Sequence, residues 1–192
     1  VVPTQAQLHT ALVTDAELPA RTRTRSPMPV PPSPRADEPA CRPGTNLLAI
    51  DTHAVRPPVA SAEQSVTRTV SGKPSVDITI LLTSFKVGEA ERVMSEAAAS
   101  LEVCHTFPGT KNGIPVTFTL QSSTTSPSMG DQSVHVRVVS VSAAENLVTT
   151  YLFVRAGNTI VRFMSAGPTL DGIPSVVDFP AREQVEKLMD IR

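Results

Sequence analysis

The stretch that decides the fold runs from Val76 to His105. It reads Val76-Asp77-Ile78-Thr79-Ile80-Leu81-Leu82, then Thr83-Ser84-Phe85-Lys86-Val87-Gly88, then Glu89-Ala90-Glu91-Arg92-Val93-Met94-Ser95-Glu96-Ala97-Ala98-Ala99-Ser100-Leu101-Glu102-Val103, and ends in Cys104-His105. Val76, Ile78, Ile80 and Leu82 recur at every second position, which is the period of a strand. After Gly88 the period changes. Ala90, Val93, Met94, Ala97, Ala98 and Leu101 fall three and four apart, as on the buried face of a helix, and Glu89, Glu91, Arg92, Glu96 and Glu102 fall toward water. Cys104 lies three residues past Leu101 and so stays on the buried side.

Outward from this core the pattern is mostly β. Ser65–Val70 alternates polar and apolar residues, and Ser71-Gly72-Lys73-Pro74 makes the turn of a hairpin with the strand at Val76. Beyond the helix, Pro108-Gly109 and Asn112-Gly113 punctuate a loop. Four strands are then expected, at Pro115–Gln121, Ser133–Ser140, Leu147–Arg155 and Thr159–Ser165, with a tight turn at Ala156-Gly157-Asn158. Ala181–Met189 reads as a closing helix with Val185, Leu188 and Met189 apolar. At the other end Gln7–Leu18 reads as a short helix stopped by Pro19, or as a helix followed by a second turn capped by Thr14 or Asp15. The order predicts an α+β fold: a curved antiparallel sheet of about six strands, helices packed mainly on one face, and one disulfide.

Residues 20–40 differ in character. Arg21, Arg23 and Arg25 alternate with Thr22 and Thr24, and Pro27, Pro29, Pro31, Pro32, Pro34 and Pro39 follow. Proline removes donors and fixes φ, so a proline-rich surface loop is expected. The arginines suit an anionic lipid or cell-wall polymer, although a solvated loop is the simpler expectation.

The chain has 192 residues, a net charge of −1 and 40% hydrophobic residues, which fits a single domain over 1–192 with a sizeable core. Near-neutral charge argues against nucleic-acid binding. Six Phe, one Tyr and no Trp argue against aromatic stacking platforms. No run approaches the ~20 apolar residues of a membrane span. The first residue is Val1, not Met, and the expectation is a removed targeting or anchoring segment, or a fragment of a larger protein.

Cys41 and Cys104 are the two cysteines. A bond between them is expected, which places the protein in an oxidising, extracytoplasmic compartment; two buried free thiols are the alternative. Nucleophile-elbow, zinc-protease, phosphate-loop and dinucleotide motifs are absent, and no Cys-x-x-Cys exists, so no cofactor and no metal are expected. Cys104-His105 is poorly placed as a thiol dyad, because adjacent residues at a helix end diverge by about 100°. His135 and Arg137 stand two apart on the polar side of a strand. With Tyr151 or Arg162 they would line a cleft for a polar or anionic ligand; a plain solvated strand face is the alternative. The Ser/Thr-rich Gln121–Ser128 reads as a connector or a cleft-side loop.

Together, Thr14-Asp15-Ala16-Glu17-Leu18-Pro19, the lone Cys41, strand Val76–Leu82, the Glu89-Ala90 helix ending in Cys104-His105-Thr106-Phe107, Gly130-Asp131-Gln132-Ser133-Val134 and Val154-Arg155-Ala156-Gly157-Asn158-Thr159-Ile160-Val161 resemble the extracellular sensor domains of PknH-type actinobacterial receptor kinases and related lipoproteins. The resemblance spans most of the chain and is structural rather than catalytic. It implies an α+β domain with a broad cleft, outside the membrane, for an unidentified ligand. Family members with more cysteines have two disulfides; this chain can form one. The expected function is therefore a non-enzymatic, monomeric sensor-like lipoprotein domain, held to the membrane only through an N-terminal lipid and binding a small molecule or cell-envelope component. A carrier of lipid in an apolar cavity and a hydrolase using the Ser-rich loop are the alternatives.

Overall fold

The computed structural model describes residues 1–27, 34–50, 56–69, 75–111, 114–123, 129–142, 146–167 and 180–191. The expected turns at Ser71–Pro74 and Asn112–Gly113, Pro29, Pro31 and Pro32 of the proline run, and residues 124–128 of the Ser/Thr-rich stretch lie outside them. Chain order among the described residues is α1 (Gln5–Ala11), β1 (Thr22–Arg25), α2 (Arg42–Leu48), β2 (Ala60–Arg68), β3 (Val76–Ser84), α3 (Glu89–Val103), β4 (Thr106–Lys111), β5 (Ile114–Ser123), β6 (Gln132–Val141), β7 (Asn146–Ala156), β8 (Thr159–Gly167) and α4 (Ala181–Met189).

The fold is α+β, with an open antiparallel sheet in the order β1-β2-β3-β8-β7-β6-β5-β4. Among the described residues it has eight strands where about six were expected. The two extra strands are edges. β1 lies in the Arg/Thr alternation that reads as loop: Thr22 is buried, the arginines point to water, and the prolines begin only after the strand ends. β4 contains Pro108 and Gly109, which a central strand would exclude but an edge tolerates.

Helices cover both faces, not mainly one. Leu81, Val134, Val136, Val138, Tyr151, Phe153 and Ile160 pack with Leu47 and Leu48 of α2 and with Ala90, Met94, Ala97 and Leu101 of α3. Ile78, Ile80, Leu82, Leu152, Val154, Val161 and Phe163 pack with Leu8 and Ala11 of α1 and with Ala181, Val185 and Leu188 of α4. Strand alternation alone separates the two sets. β7 is therefore buried without interruption from Val148 to Val154, whereas β6 alternates between buried and half-buried residues. Burying side chains such as Met94 and Leu101 contributes about 1.5–3 kcal/mol each.

The helices are shaped by local chemistry. α1 starts in a capping box: the Thr4 side chain accepts from the Gln7 backbone, and the Gln7 side chain accepts from the Thr4 N–H. It ends at Ala11, short of the expected Leu18. A separate turn follows, closed by the Glu17 N–H on Thr14 C=O at 3.0 Å. α3 enters through Gly88, whose φ of 80° lies in the left-handed region that favours glycine. In α4, Met189 is exposed and Gln184 is fully buried, the reverse of what apolar periodicity suggests.

Candidate functional site

Cys41 and Cys104 form a disulfide across 63 residues, with Cα atoms 5.3 Å apart. Cys41 is the N-cap residue of α2, and Pro43 occupies the first turn, where a missing N–H does no harm. Gly44 allows close packing on α3: a Cβ there would stand 3.1 Å from Leu101 Cδ2 and 3.2 Å from Ser100 Oγ. Ser100 Oγ donates to Ala40 C=O at 2.6 Å. Three adjacent links, one covalent, thus press α2 onto α3.

This placement makes α2 the shared wall of two clefts. One, of about 360 Å³, is lined by Pro34, Arg35, Ala36, Asp37, Arg42, Thr45, Asn46 and Ala49. It reaches the lower end of the ~300–1,000 Å³ range of ligand pockets. The other, of about 240 Å³, lies between α2 and α3 over Ile50, Phe85 and Val93, with charged groups at its rim. Arg42 and Asn46 line both. Arg42 Nη2 donates to Asp37 C=O at 2.8 Å, which positions the guanidinium beside the larger cleft. At the rim of the smaller one, Arg56 bridges Glu89 at 2.6 Å and Glu96 at 2.7 Å. The hydrogen bond from Arg56 holds the Glu96 carboxyl below its ordinary range, and the same bond raises Arg56. Beneath α2, fully buried Arg162 on β8 donates from Nη1 to Leu48 C=O at 3.2 Å, with Glu63 4.0 Å from Nη2. It serves one of the carbonyls that a helix end leaves open.

The residues singled out from the sequence are not brought together. His135 and Arg137 share the side of β6 away from α3. In the register, His135 stands opposite Leu152 and Arg137 opposite Thr150 and Gln121. Tyr151 therefore points to the other face, opposite Val136, where it is buried and stacks on Phe153 at 5.8 Å. Arg162 is on that face too. His135 has its pKa lowered, first by burial and then by Arg137, and its Nε2 has no hydrogen-bond partner among the described residues. Arg35, Asp37, Arg42 and Asn46 were missed. The one available signal was Pro43 directly after Cys41-Arg42, a helix-start signature that the neighbouring prolines and Gly44 obscure.

No family model matches the chain. No curated protein matches it in sequence. In structure it is similar to the extracellular domain of PknH from Mycobacterium tuberculosis, with a TM-score of 0.55 and 12% sequence identity; the match covers 100% of this chain and 97% of that one. The likeness is one of fold, and it extends end to end. Among the described residues no helix is long and apolar enough to cross a membrane.

Proposed function

We propose that the chain is a non-enzymatic, extracytoplasmic sensor-like domain that binds a small polar or anionic molecule in the larger cleft beside α2. The observation that carries this reading is the end-to-end likeness in fold to a receptor kinase's extracellular domain. The disulfide supports it, because such bonds persist in oxidising compartments. Arg35 and Arg42 supply planar donors suited to carboxylate or phosphate, and Asn46 and Thr45 supply neutral polar groups. Delivery as an actinobacterial lipoprotein, by resemblance to the stand-alone relatives, completes the proposal; a lipid-modified cysteine upstream of Val1 in the native protein would test it.

Thermal unfolding against a panel of inorganic phosphate, citrate, a muropeptide and an acidic oligosaccharide tests the binding. A ligand at a hundred times its Kd adds about 2.7 kcal/mol. In a chain of this length that raises Tm by roughly 5–10 °C. Arg42→Ala should abolish the shift. A shift that survives Arg42→Ala and disappears in Arg137→Ala would move the site to the His135–Arg137 strand face. If no member of the panel shifts Tm, the reading fails for these ligand classes.

A further inference from the structure

The arginines of β1 and the residue before it form a charged edge with no salt bridge to the other described residues of the fold. Arg21, Arg23 and Arg25 are exposed, while Thr22 is buried against the sheet. Five other cations are matched: Arg56 with Glu89 and Glu96, Arg92 with Glu89, Arg155 with Asp131, Arg162 with Glu63, Lys187 with Glu17. Arg35, Arg42, Lys86, Arg137 and Arg182 have no salt bridge among the described residues but are scattered along the chain and do not form a row. The three edge arginines have no salt bridge to a described carboxylate.

Arg21 adds a second observation. Its φ of 68° makes it the one non-glycine residue with positive φ among the described residues. Its carbonyl is tied to the Thr69 N–H at 3.0 Å, so the backbone there is fixed by the sheet. Glycine or asparagine would suit that conformation better, and an arginine in it points to a use for the side chain.

Charged residues on an edge strand also guard against strand addition. Here that task is already met at the centre of β1, where Asp15 accepts from the outward Thr24 N–H at 2.6 Å. That hydrogen bond, with a smaller contribution from Arg23, holds the Asp15 carboxyl low. Asp15 acts on the row only through Arg23, and its Oδ1 is engaged by Thr24.

We propose that the edge bearing Arg21, Arg23 and Arg25 docks the domain onto a phosphate-bearing lipid surface. The row spans about 13 Å at ~3.3 Å per residue, with Arg23 and Arg25 on the same side about 7 Å apart. It lies on the edge strand of the sheet and lines neither of the two clefts. A plane of phosphates can meet it directly, whereas a bound polyanion chain is normally tracked by a groove. Guanidinium pairs with phosphate in a bidentate manner. Each arginine near an anionic bilayer should raise partitioning about fivefold, and the three together on the order of 100-fold.

The test is co-sedimentation of the full chain with phosphatidylglycerol vesicles and with phosphatidylcholine vesicles, at low and high salt. Binding to the anionic vesicles alone, weakened by salt, is expected. Replacing all three arginines by glutamine should abolish it, and replacing all three by lysine, which keeps the charge but not the bidentate pairing, should retain it in part; the lysine variant separates lost charge from lost folding. Arg21→Gly should raise Tm while weakening vesicle binding about fivefold. Equal binding to both vesicle types, no binding, or unchanged binding by the glutamine variant overturns the proposal. So does tighter binding to soluble polyphosphate than to vesicles with the same arginine dependence, which would identify a polymer site. A fall in Tm for Arg21→Gly would assign Arg21 to the fold and remove it from the docking edge.

Discussion

On one face of the sheet, α2 is tied to α3 by a covalent bond between Cys41 and Cys104. On the other, α1 is tied to α4 by a single buried amide. Gln184 accepts from the Val13 N–H at 3.1 Å and donates to Ala11 C=O at 2.7 Å, joining segments more than 170 residues apart. Lys187 adds a bond to Leu12 C=O at 2.8 Å and an ion pair with Glu17 at 2.9 Å. Both faces solve the same problem. α1 and α2 have seven residues each, too few to be stable alone. Each needs a neighbour across a long stretch of chain. The difference lies in what fixing achieves. The amide satisfies backbone groups at the end of α1, and the disulfide fixes a helix that walls two clefts.

The largest effect that would break this comparison is removal of the bond. Cys41→Ser with Cys104→Ser should lower stability by about 4 kcal/mol, read as a fall in the urea midpoint. An unchanged midpoint would mean that packing alone seats α2. On the opposite face, Gln184→Leu should cost about 3 kcal/mol, because it leaves a buried N–H and a buried C=O without their side-chain partner. Gln184→Glu keeps an acceptor for Val13 but buries a carboxylate against the Ala11 C=O, so a loss at least as large is expected, shrinking at low pH where the carboxyl is protonated and can donate. A loss that does not depend on pH would show that the Ala11 bond contributes little.

Gly44→Ala probes how closely α2 is held to α3. The added Cβ meets Leu101 and Ser100 inside their normal contact distance. A loss of about 1–2 kcal/mol is expected with the disulfide intact, from overpacking. No loss would show that α2 can move away from α3 despite the bond.

The smallest effects are electrostatic and lie in two pH windows. Glu96 on the α3 face and Glu17 on the α4 face have lowered pKa values, each first through a hydrogen bond from its cationic partner. Their contribution is complete above the ordinary carboxylate value of 4.5 and is lost as pH falls through the lower folded value. Exposed pairs of this kind are worth at most about 1 kcal/mol. Glu96→Gln and Glu17→Gln should each flatten the acid limb of the stability curve slightly. His135 acts in the higher window. Its folded pKa is below 6.5, so the unfolded chain takes up the proton first and stability declines as pH drops below that value. His135→Gln should remove that part of the decline, and an unaltered curve would contradict a lowered pKa for the half-buried imidazole.

The contrast also explains what could be read from residues alone. The cysteine pair was legible because a chain with two cysteines allows only one pairing. The strands of the β6–β8 region were legible because alternation and turn residues mark them. So was the helix from Glu89 to Val103. Burial on both faces had a signal in the near-continuous apolar runs Tyr151–Val154 and Ile160–Met164, which alternation on one face would not produce. Gln184 had none. A polar residue inside a helix looks solvent-facing until the chain end that it serves is known. Register decided the site: a strand pattern gives which residues share a side within one strand, but only pairing shows that Tyr151 faces away from His135. The larger cleft beside α2 is lined by residues 34–49 alone, but the seating of that short stretch on α3 is fixed by a disulfide across 63 residues, which no local pattern encodes.

Hydrogen exchange of the oxidised and the reduced chain tests most directly that the disulfide sets the cleft wall independently of the other face. Reduction should strip protection from the amides of residues 45–49 in and beside α2, and leave those of α1 and α4 unchanged. Equal loss on both faces, or full retention in α2, would contradict it.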